Sequence, residues 1–220
     1  MILILDSSNK ALTTILVGDD GNFFEGTPWQ ENHQKHLLPE VEKLLQEAGC
    51  KVEDLNVLAC VAGPGSFTGV RLAVGTVKGF CLVNKKAKVV SINMLHLLAQ
   101  KPKQKGIKNF ALATKCTSTR VYCLLSLSSQ TKQMVCTNGE FVRLCQQNKL
   151  KMFGFGIDEL EGESLEQICI DANDYVKYVF GQIKQKKFVQ PNALEPIYMA
   201  LSQAEEELLK KEQHDSNPRG

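Results

Sequence analysis

Apolar residues open the chain in a run from Ile2 to Leu5 and return from Leu12 to Val17, with the polar stretch Asp6-Ser7-Ser8-Asn9 between them. Two strands joined by a polar turn, closed by Gly18-Asp19-Asp20-Gly21, predict a β-hairpin, and a third strand is expected around Phe23 to Gly26. The period then changes. Leu37, Leu38, Val41, Leu44, Leu45 and Ala48 recur at the three-and-four spacing of one helix face, which ends at Gly49. A short apolar run from Val57 to Ala62, a turn at Gly63-Pro64-Gly65-Ser66, a helix from Phe67 to Val83 and a strand near Lys88 to Ser91 follow. This β-α-β-α alternation predicts an α/β lobe with a parallel component.

Pro102, Gly106 and the lysines 101, 103, 105 and 108 form a polar seam, which divides the chain into a first lobe over residues 1–105 and a second over 106–200. Strands are expected at Asn109 to Ala113, Arg120 to Ser126 and Gln133 to Cys136, with a turn at Gly154-Phe155-Gly156 and a helix from Tyr175 to Gln185. Residues 201–220 read as a charged helix, Leu201 to Glu212, with a frayed end. No internal repeat or low-complexity tract is visible in the sequence.

Composition narrows the picture a little. With 220 residues and 43% apolar content the chain can bury a real core, and a formal charge of +2 argues neither for nor against nucleic acid. The eight cysteines contain no C-x-x-C pair and several sit in apolar runs, so they read as reduced, buried thiols of a cytoplasmic protein. The first residues lack the basic and long apolar segments of a signal peptide, and nothing later is expected to span a membrane.

The most informative segment is Ala62-Gly63-Pro64-Gly65-Ser66-Phe67-Thr68-Gly69-Val70-Arg71, at a strand-to-helix junction. Exposed N–H groups at a helix start suit an anion, so a phosphate cradle is one reading. It lacks the Lys-Ser/Thr of a P-loop, since Val70-Arg71 follows Gly69, and the next strand ends in Ser91-Ile92-Asn93 without the acidic residue of a dinucleotide fold. Ser66 stands in no G-x-S-x-G elbow and reads as a helix N-cap rather than a nucleophile. Asp6 is open to two readings, a relic of a phosphate or Mg²⁺ contact and an Asx turn. His33 and His36 have no clustered Cys or Asp and read as surface or interface residues. The lysine groups read as solvated faces, with tRNA phosphates as a further possibility.

The helix from Val70 to Val83 is apolar on nearly every side, with only Arg71 and Lys78 charged, while Gly75 and Gly79 lie four apart on one face. Such a helix requires cover all round. Tight packing inside this chain and a protein partner both satisfy that requirement.

The run Gly63-Pro64-Gly65-Ser66-Phe67-Thr68-Gly69-Val70-Arg71 resembles the signature of the TsaB (YeaZ) family. Leu5-Asp6-Ser7-Ser8, His33 to Pro39 and Glu195-Pro196-Ile197-Tyr198 resemble that family's opening turn, helix start and late P-x-Y element. The resemblance implies two actin-like or Hsp70-like (ASKHA) lobes, the second reduced. It implies a non-catalytic subunit that dimerises with TsaD for threonylcarbamoyl transfer to the adenosine beside the tRNA anticodon, with TsaE completing the complex. Nucleotide and metal would then belong to the partner subunits, tRNA would be met only through the complex, and the isolated chain would form a homodimer. The partner surface would comprise His36, Leu37, Val41 and Leu44 of one helix and Phe67, Val70, Arg71, Val74, Gly75, Lys78 and Gly79 of the next; Asp6, Gly63, Gly65 and Ser66 would be a vestigial phosphate site. Two departures stand out. His96 has Ile92 four residues earlier in place of the second histidine of the catalytic relative's metal pair, and Thr114-Lys115-Cys116-Thr117 replaces the family's I-D-A-R. A nucleotide-dependent enzyme of the actin-like superfamily and a peptidase are the alternative functions.

Overall fold

The structure is a computed structural model that describes residues 1–128 and 130–199. Strands β1 (Ile2–Asp6), β2 (Thr13–Val17), β3 (Phe23–Glu25), β4 (Val57–Gly63) and β5 (Lys88–Asn93) form a sheet in the order β3-β2-β1-β4-β5. β1, β2 and β3 pair antiparallel, whereas β1, β4 and β5 run parallel. Helices α1 (His33–Glu47) and α2 (Phe67–Val83) connect these strands, and α3 (Met94–Leu98) and α4 (Gln100–Gln104) leave the sheet.

The second half repeats this plan. Strands β6 (Phe110–Lys115), β7 (Arg120–Leu127), β8 (Gln130–Thr137) and β9 (Lys151–Phe155) follow, with α5 (Asn138–Gln147) before β9. After the small hairpin β10 (Glu159–Leu160) and β11 (Glu163–Ser164) come β12 (Glu166–Gln167) and α6 (Ala172–Lys184). The sheet order β8-β7-β6-β9-β12, with β6 antiparallel to β7 and parallel to β9, matches that of the first sheet strand for strand. The second lobe is reduced in two places: its last strand has two residues, and the small hairpin β10–β11 stands between β9 and β12 where the first lobe has the 17-residue helix α2.

Strand alternation explains why β1 reads as continuously apolar. Ile2 and Ile4 point to one side, with Ile15, Val17 and Ala59; Leu3 and Leu5 point to the other, with Leu37, Leu44, Val74 and Val77 of α1 and α2. The first of these sides is shared, because its core also takes α3, α6 and the inward residues Phe110, Leu112 and Phe153 of the second sheet. The outer face of the second sheet, with Ala111, Ala113 and Cys123, packs against Phe141 and Cys145 of α5.

Several boundaries differ from the sequence pattern. The lysine-rich seam is partly helical, since Pro102 falls in the first turn of α4, where its missing N–H costs nothing. Gly154 lies inside β9 rather than in a turn; a side chain there would meet the Ile157 carbonyl, and the turn glycine is Gly156, at φ +67°. Helix α6 starts three residues before Tyr175, fixed by a capping box in which Asp171 and Asp174 bond reciprocally to each other's backbone N–H. The division at 105/106 assigns residues after 171 to the second lobe, yet α6 packs on β5 and α3. The chain then returns further to the first lobe, where the Val189 N–H donates to the Val89 carbonyl and the Ile197 N–H to the Ala62 carbonyl. The charged helix expected beyond Leu201 lies outside the described residues.

Candidate functional site

The signature segment between β4 and α2 is shaped by what it packs against. A Cβ on Gly69 would lie 1.8 Å from the Ser7 carbonyl oxygen, and one on Gly65 would lie 2.7 Å from the Ser8 Cβ. Only glycine allows that approach. Ser7 Oγ donates to the Gly69 carbonyl at 2.7 Å, and the Ser66 N–H donates to the Ser8 carbonyl at 2.8 Å. A Cβ on Gly63, which sits at φ +124°, would lie 2.8 Å from the Ile197 carbonyl oxygen. The glycines therefore clamp the first hairpin turn and the returning segment around Ile197. Ser66 caps α2, its Oγ accepting from the Gly69 N–H at 3.3 Å, as its position predicts.

Asp6 ends β1 fully buried. Its Oδ1 accepts from the Ser8 N–H at 2.8 Å and from Ser8 Oγ at 2.6 Å, and its Oδ2 from Asn9 Nδ2 at 2.8 Å and the Tyr175 hydroxyl at 2.6 Å. Four donors occupy the carboxylate. Burial pushes the Tyr175 phenol well above its usual value, with the Asp6 charge adding to the effect, so the phenol remains a proton donor. At the positions expected to form a vestigial phosphate site, Asp6, Gly63, Gly65 and Ser66, the carboxylate is held in an Asx turn and by Tyr175, and the glycines pack against the chain's own backbone and Ser8. Tyr175 was missed in the sequence, where it appeared only as a helix start.

On α2 the structure separates two faces. Val70 and Val74 are buried in the chain's own core, as are Leu37, Val41 and Leu44 of α1. These five expected partner-binding side chains are spent internally and are corrected to core residues. The opposite face of α2 is open: Arg71, Gly75 and Gly79 are exposed, Lys78 is half-buried, and nothing lies within 4 Å of a Cβ built on either glycine. The stripe continues to Leu82, 78% exposed, and Val83, 60% exposed. His36, at the start of α1, is half-buried with its ring stacked 3.8 Å from that of Trp29.

At the head of the stripe, the Arg71 guanidinium lies 3.7 Å over the Phe67 ring and its Nε donates to the Tyr198 hydroxyl at 2.6 Å. This clasp ties the late P-x-Y element to α2. On the far side of the shared core, His96 Nε2 meets Gln133 Nε2 at 2.5 Å, while Asn93 Nδ2 donates to Gln133 Oε1. Burial, then the charges of Lys103 and Lys187, lower the His96 pKa, which suits a neutral ring accepting from the amide. Where the catalytic relatives would place a second metal-binding histidine, this chain has Ile92, fully buried in the core. No cluster of three or more potential metal ligands occurs among the described residues. A cleft of about 1320 Å³ lies between the lobes, walled by the first hairpin turn, the start of α2, the β6–β7 turn and residues 167–170. No described helix is long and apolar enough to cross a membrane.

Two lobes of identical strand order, meeting across such a cleft, define a two-lobed α/β protein of the actin-like (ASKHA) class. A crystal structure from Pseudomonas aeruginosa, described as an uncharacterized protein with similarity to peptidase YEAZ, superposes with a TM-score of 0.71 at 23% identity, covering 90% of this chain and 99% of that one. YeaZ from Pseudomonas aeruginosa gives a TM-score of 0.67 at 22% identity, covering 90% of this chain and 98% of that one. A family model described as TsaD, tRNA N6-adenosine threonylcarbamoyltransferase, matches residues 28–133. The tRNA threonylcarbamoyladenosine biosynthesis protein TsaB of Escherichia coli is 34% identical over 101 residues, 45% of this chain and 42% of that protein. The match thus spans less than half of that relative's length. TsaB of Buchnera aphidicola subsp. Schizaphis graminum is 28% identical over 79% of this chain and 80% of its own, and the uncharacterized protein MG208 of Mycoplasma genitalium 27% over 90% and 93%. Together these likenesses support assignment of the chain to the TsaB/YeaZ family.

Proposed function

We propose that this protein acts in tRNA threonylcarbamoyladenosine biosynthesis as the non-catalytic subunit that pairs with TsaD, through the open face of α2. The observation that carries the reading is the stripe Arg71, Gly75, Gly79, Leu82 and Val83: two exposed glycines with open space above them, in the middle of a helix, bordered by exposed apolar side chains. An exposed helix that served only its own fold would gain stability from alanine at both positions. A surface made to receive another helix at close range keeps them. The family model that spans α1 and α2 is that of TsaD, so the proposed partner carries a lobe of the same plan and presents matching helices. In the absence of TsaD the same stripe pairs two copies of this chain. TsaE joins the assembled pair, and tRNA is bound by the complex.

The occupied Asp6 carboxylate argues against a nucleotide-dependent enzyme of the actin-like type, since a Mg²⁺-nucleotide would have to displace Tyr175, Ser8 and Asn9 together. The capping role of Ser66 argues against a serine peptidase. Co-purification with TsaD tests the pairing, with Gly75→Arg and Gly79→Arg as the disrupting changes. A complex that survives both substitutions on folded protein refutes this surface.

A further inference from the structure

Charge is divided unevenly along this chain. Residues 55–139 contain twelve lysines and arginines and no acid, and residues 175–194 add four lysines and again no acid. Residues 1–54 and 140–174 hold eighteen acids against seven basic residues, so the formal charge of +2 conceals segments of opposite sign. The fold joins the two basic segments. After α6 the chain returns along the outer edge of β5, the last strand of its sheet, where the Val189 N–H donates to the Val89 carbonyl at 2.9 Å. There the Lys88 ammonium lies 4.9 Å from the centre of the Phe188 ring. Lys184 ends α6, Lys186 and Lys187 follow it, and the charges of Lys187 and of Lys103 on α4 both reach His96. These five lysines are exposed. None has an ion-pair partner among the described residues, whereas two other lysines of the region are neutralised, Lys101 by Asp174 at 2.6 Å and Lys105 by Glu166 at 2.9 Å.

We infer that the face built from Lys88 at the edge of β5, Lys103 of α4, and Lys184, Lys186 and Lys187 at the end of α6 holds the phosphate backbone of a folded RNA. That the RNA is tRNA rests on the function proposed above; the contact itself does not. Unpaired ammonium groups gathered on one surface repel one another and retain counterions, and a polyanion that neutralises them releases its own counterions in turn. Lysine is a point charge on a long stem, suited to phosphates along a backbone and not to reading base edges. An anionic membrane fits less well, because it would take apolar side chains inserted beside the lysines. Among the described residues of α4, β5 and α6, Phe180 alone is a large exposed hydrophobic. The face thus gives the chain an RNA contact of its own within the larger complex.

The test titrates the intact chain against a fluorescent tRNA transcript, read by anisotropy at several salt concentrations from about 50 to 200 mM. Five phosphate contacts predict that log K falls with log salt at a slope of about −3.5 to −4.5. The Lys88→Glu, Lys103→Glu, Lys187→Glu triple variant, altered only at exposed side chains, is expected to bind about tenfold more weakly or worse at the lowest salt, with the slope flatter by about 2–3. A control with the same change in net charge, Lys43→Glu, Lys51→Glu, Lys149→Glu, places it at exposed lysines of the acidic segments and is expected to keep the wild-type slope. Cooperative unfolding of each variant establishes that it is folded. Absence of RNA binding, a triple variant with the wild-type slope, or a control that loses as much as the triple variant would overturn the inference. Vesicles of phosphatidylcholine and phosphatidylserine bound more tightly than RNA through the same lysines would overturn the assignment to RNA. Light scattering of the same variants with TsaD reads pairing separately: the triple variant is expected to pair as wild type does, and wild-type protein that binds RNA but never pairs would sink the proposed function and leave this surface standing.

Discussion

Replacing Gly75 and Gly79 with alanine separates what α2 does for its own fold from what it does for a partner. Both positions are in the interior of a 17-residue helix, both are exposed, and a methyl group at either meets no atom within 4 Å. The substitution therefore introduces no clash and removes only the conformational freedom that glycine retains in the unfolded chain. The gain is about 0.5–1 kcal/mol at each site. The sites are four residues apart on an open face, so the double variant should be more stable by about 1–2 kcal/mol, if the two gains add. For a chain of this length that corresponds to a rise in Tm of roughly 2–8 °C. Urea unfolding with an unchanged m-value checks it. The same two methyl groups lift a close-approaching helix off the stripe, so TsaD affinity should fall as stability rises. A double variant that is neutral or less stable, measured at a dilution where the wild-type chain is monomeric, would refute the claim that this face is left uncovered by the chain's own fold.

Other outcomes follow from the same geometry. Tyr175→Phe removes one of four donors from a buried carboxylate and should cost about 2 kcal/mol in denaturant unfolding, the scale of a hydrogen bond to a charged group; a loss under about 0.5 kcal/mol would contradict the role assigned to the Tyr175–Asp6 bond. Gly69→Ala drives a methyl into the Ser7 carbonyl and should destabilise by about 3 kcal/mol or more, the opposite sign to Gly75→Ala, as thermal unfolding of the pair would show. His96 has a folded-state pKa below its usual 6.5, so the unfolded chain binds the extra proton first. Its contribution to stability is complete above that value and is lost as pH falls below it toward the folded pKa; His96→Asn should flatten stability between pH 7.5 and 5.5 relative to wild type, and an unchanged slope would show that another group titrates. Native-state alkylation should spare Cys60 and Cys145, whose thiols burial pushes up, the latter to about 12.

Much of the first lobe was legible because its signals are local. The period change after Gly26, the turn at Gly63 to Ser66 and the apolar run to Val83 each announce their own element. The second lobe was harder. β9 was hidden by Gly154, whose absent side chain serves contact with the Ile157 carbonyl rather than a turn, and α5 carried its start in Thr137 and Glu140, a capping box that was overlooked. The duplication of the two sheets leaves no repeat in the sequence, because strand order constrains hydrophobicity and not identity. At the site, periodicity correctly found α1 and α2 but could not tell which face of each would be spent on the core. Leu37, Val41, Leu44, Val70 and Val74 form the apolar stripes that pattern detects, and apolar stripes usually face inward. The open face is marked instead by Gly75 and Gly79, a weak signal without coordinates. Asp6 with Tyr175, and Arg71 with Tyr198, join residues 169 and 127 positions apart, beyond the reach of any local pattern.

The central claim, a subunit that pairs through the open face of α2, is tested most directly by light scattering of this chain mixed with the TsaD of the same organism. The account predicts a one-to-one complex with wild-type protein and two separate species with Gly75→Arg or Gly79→Arg variants that unfold as cooperatively as the parent. A mixture that never associates, or one in which both arginine variants associate as wild type does, would contradict it.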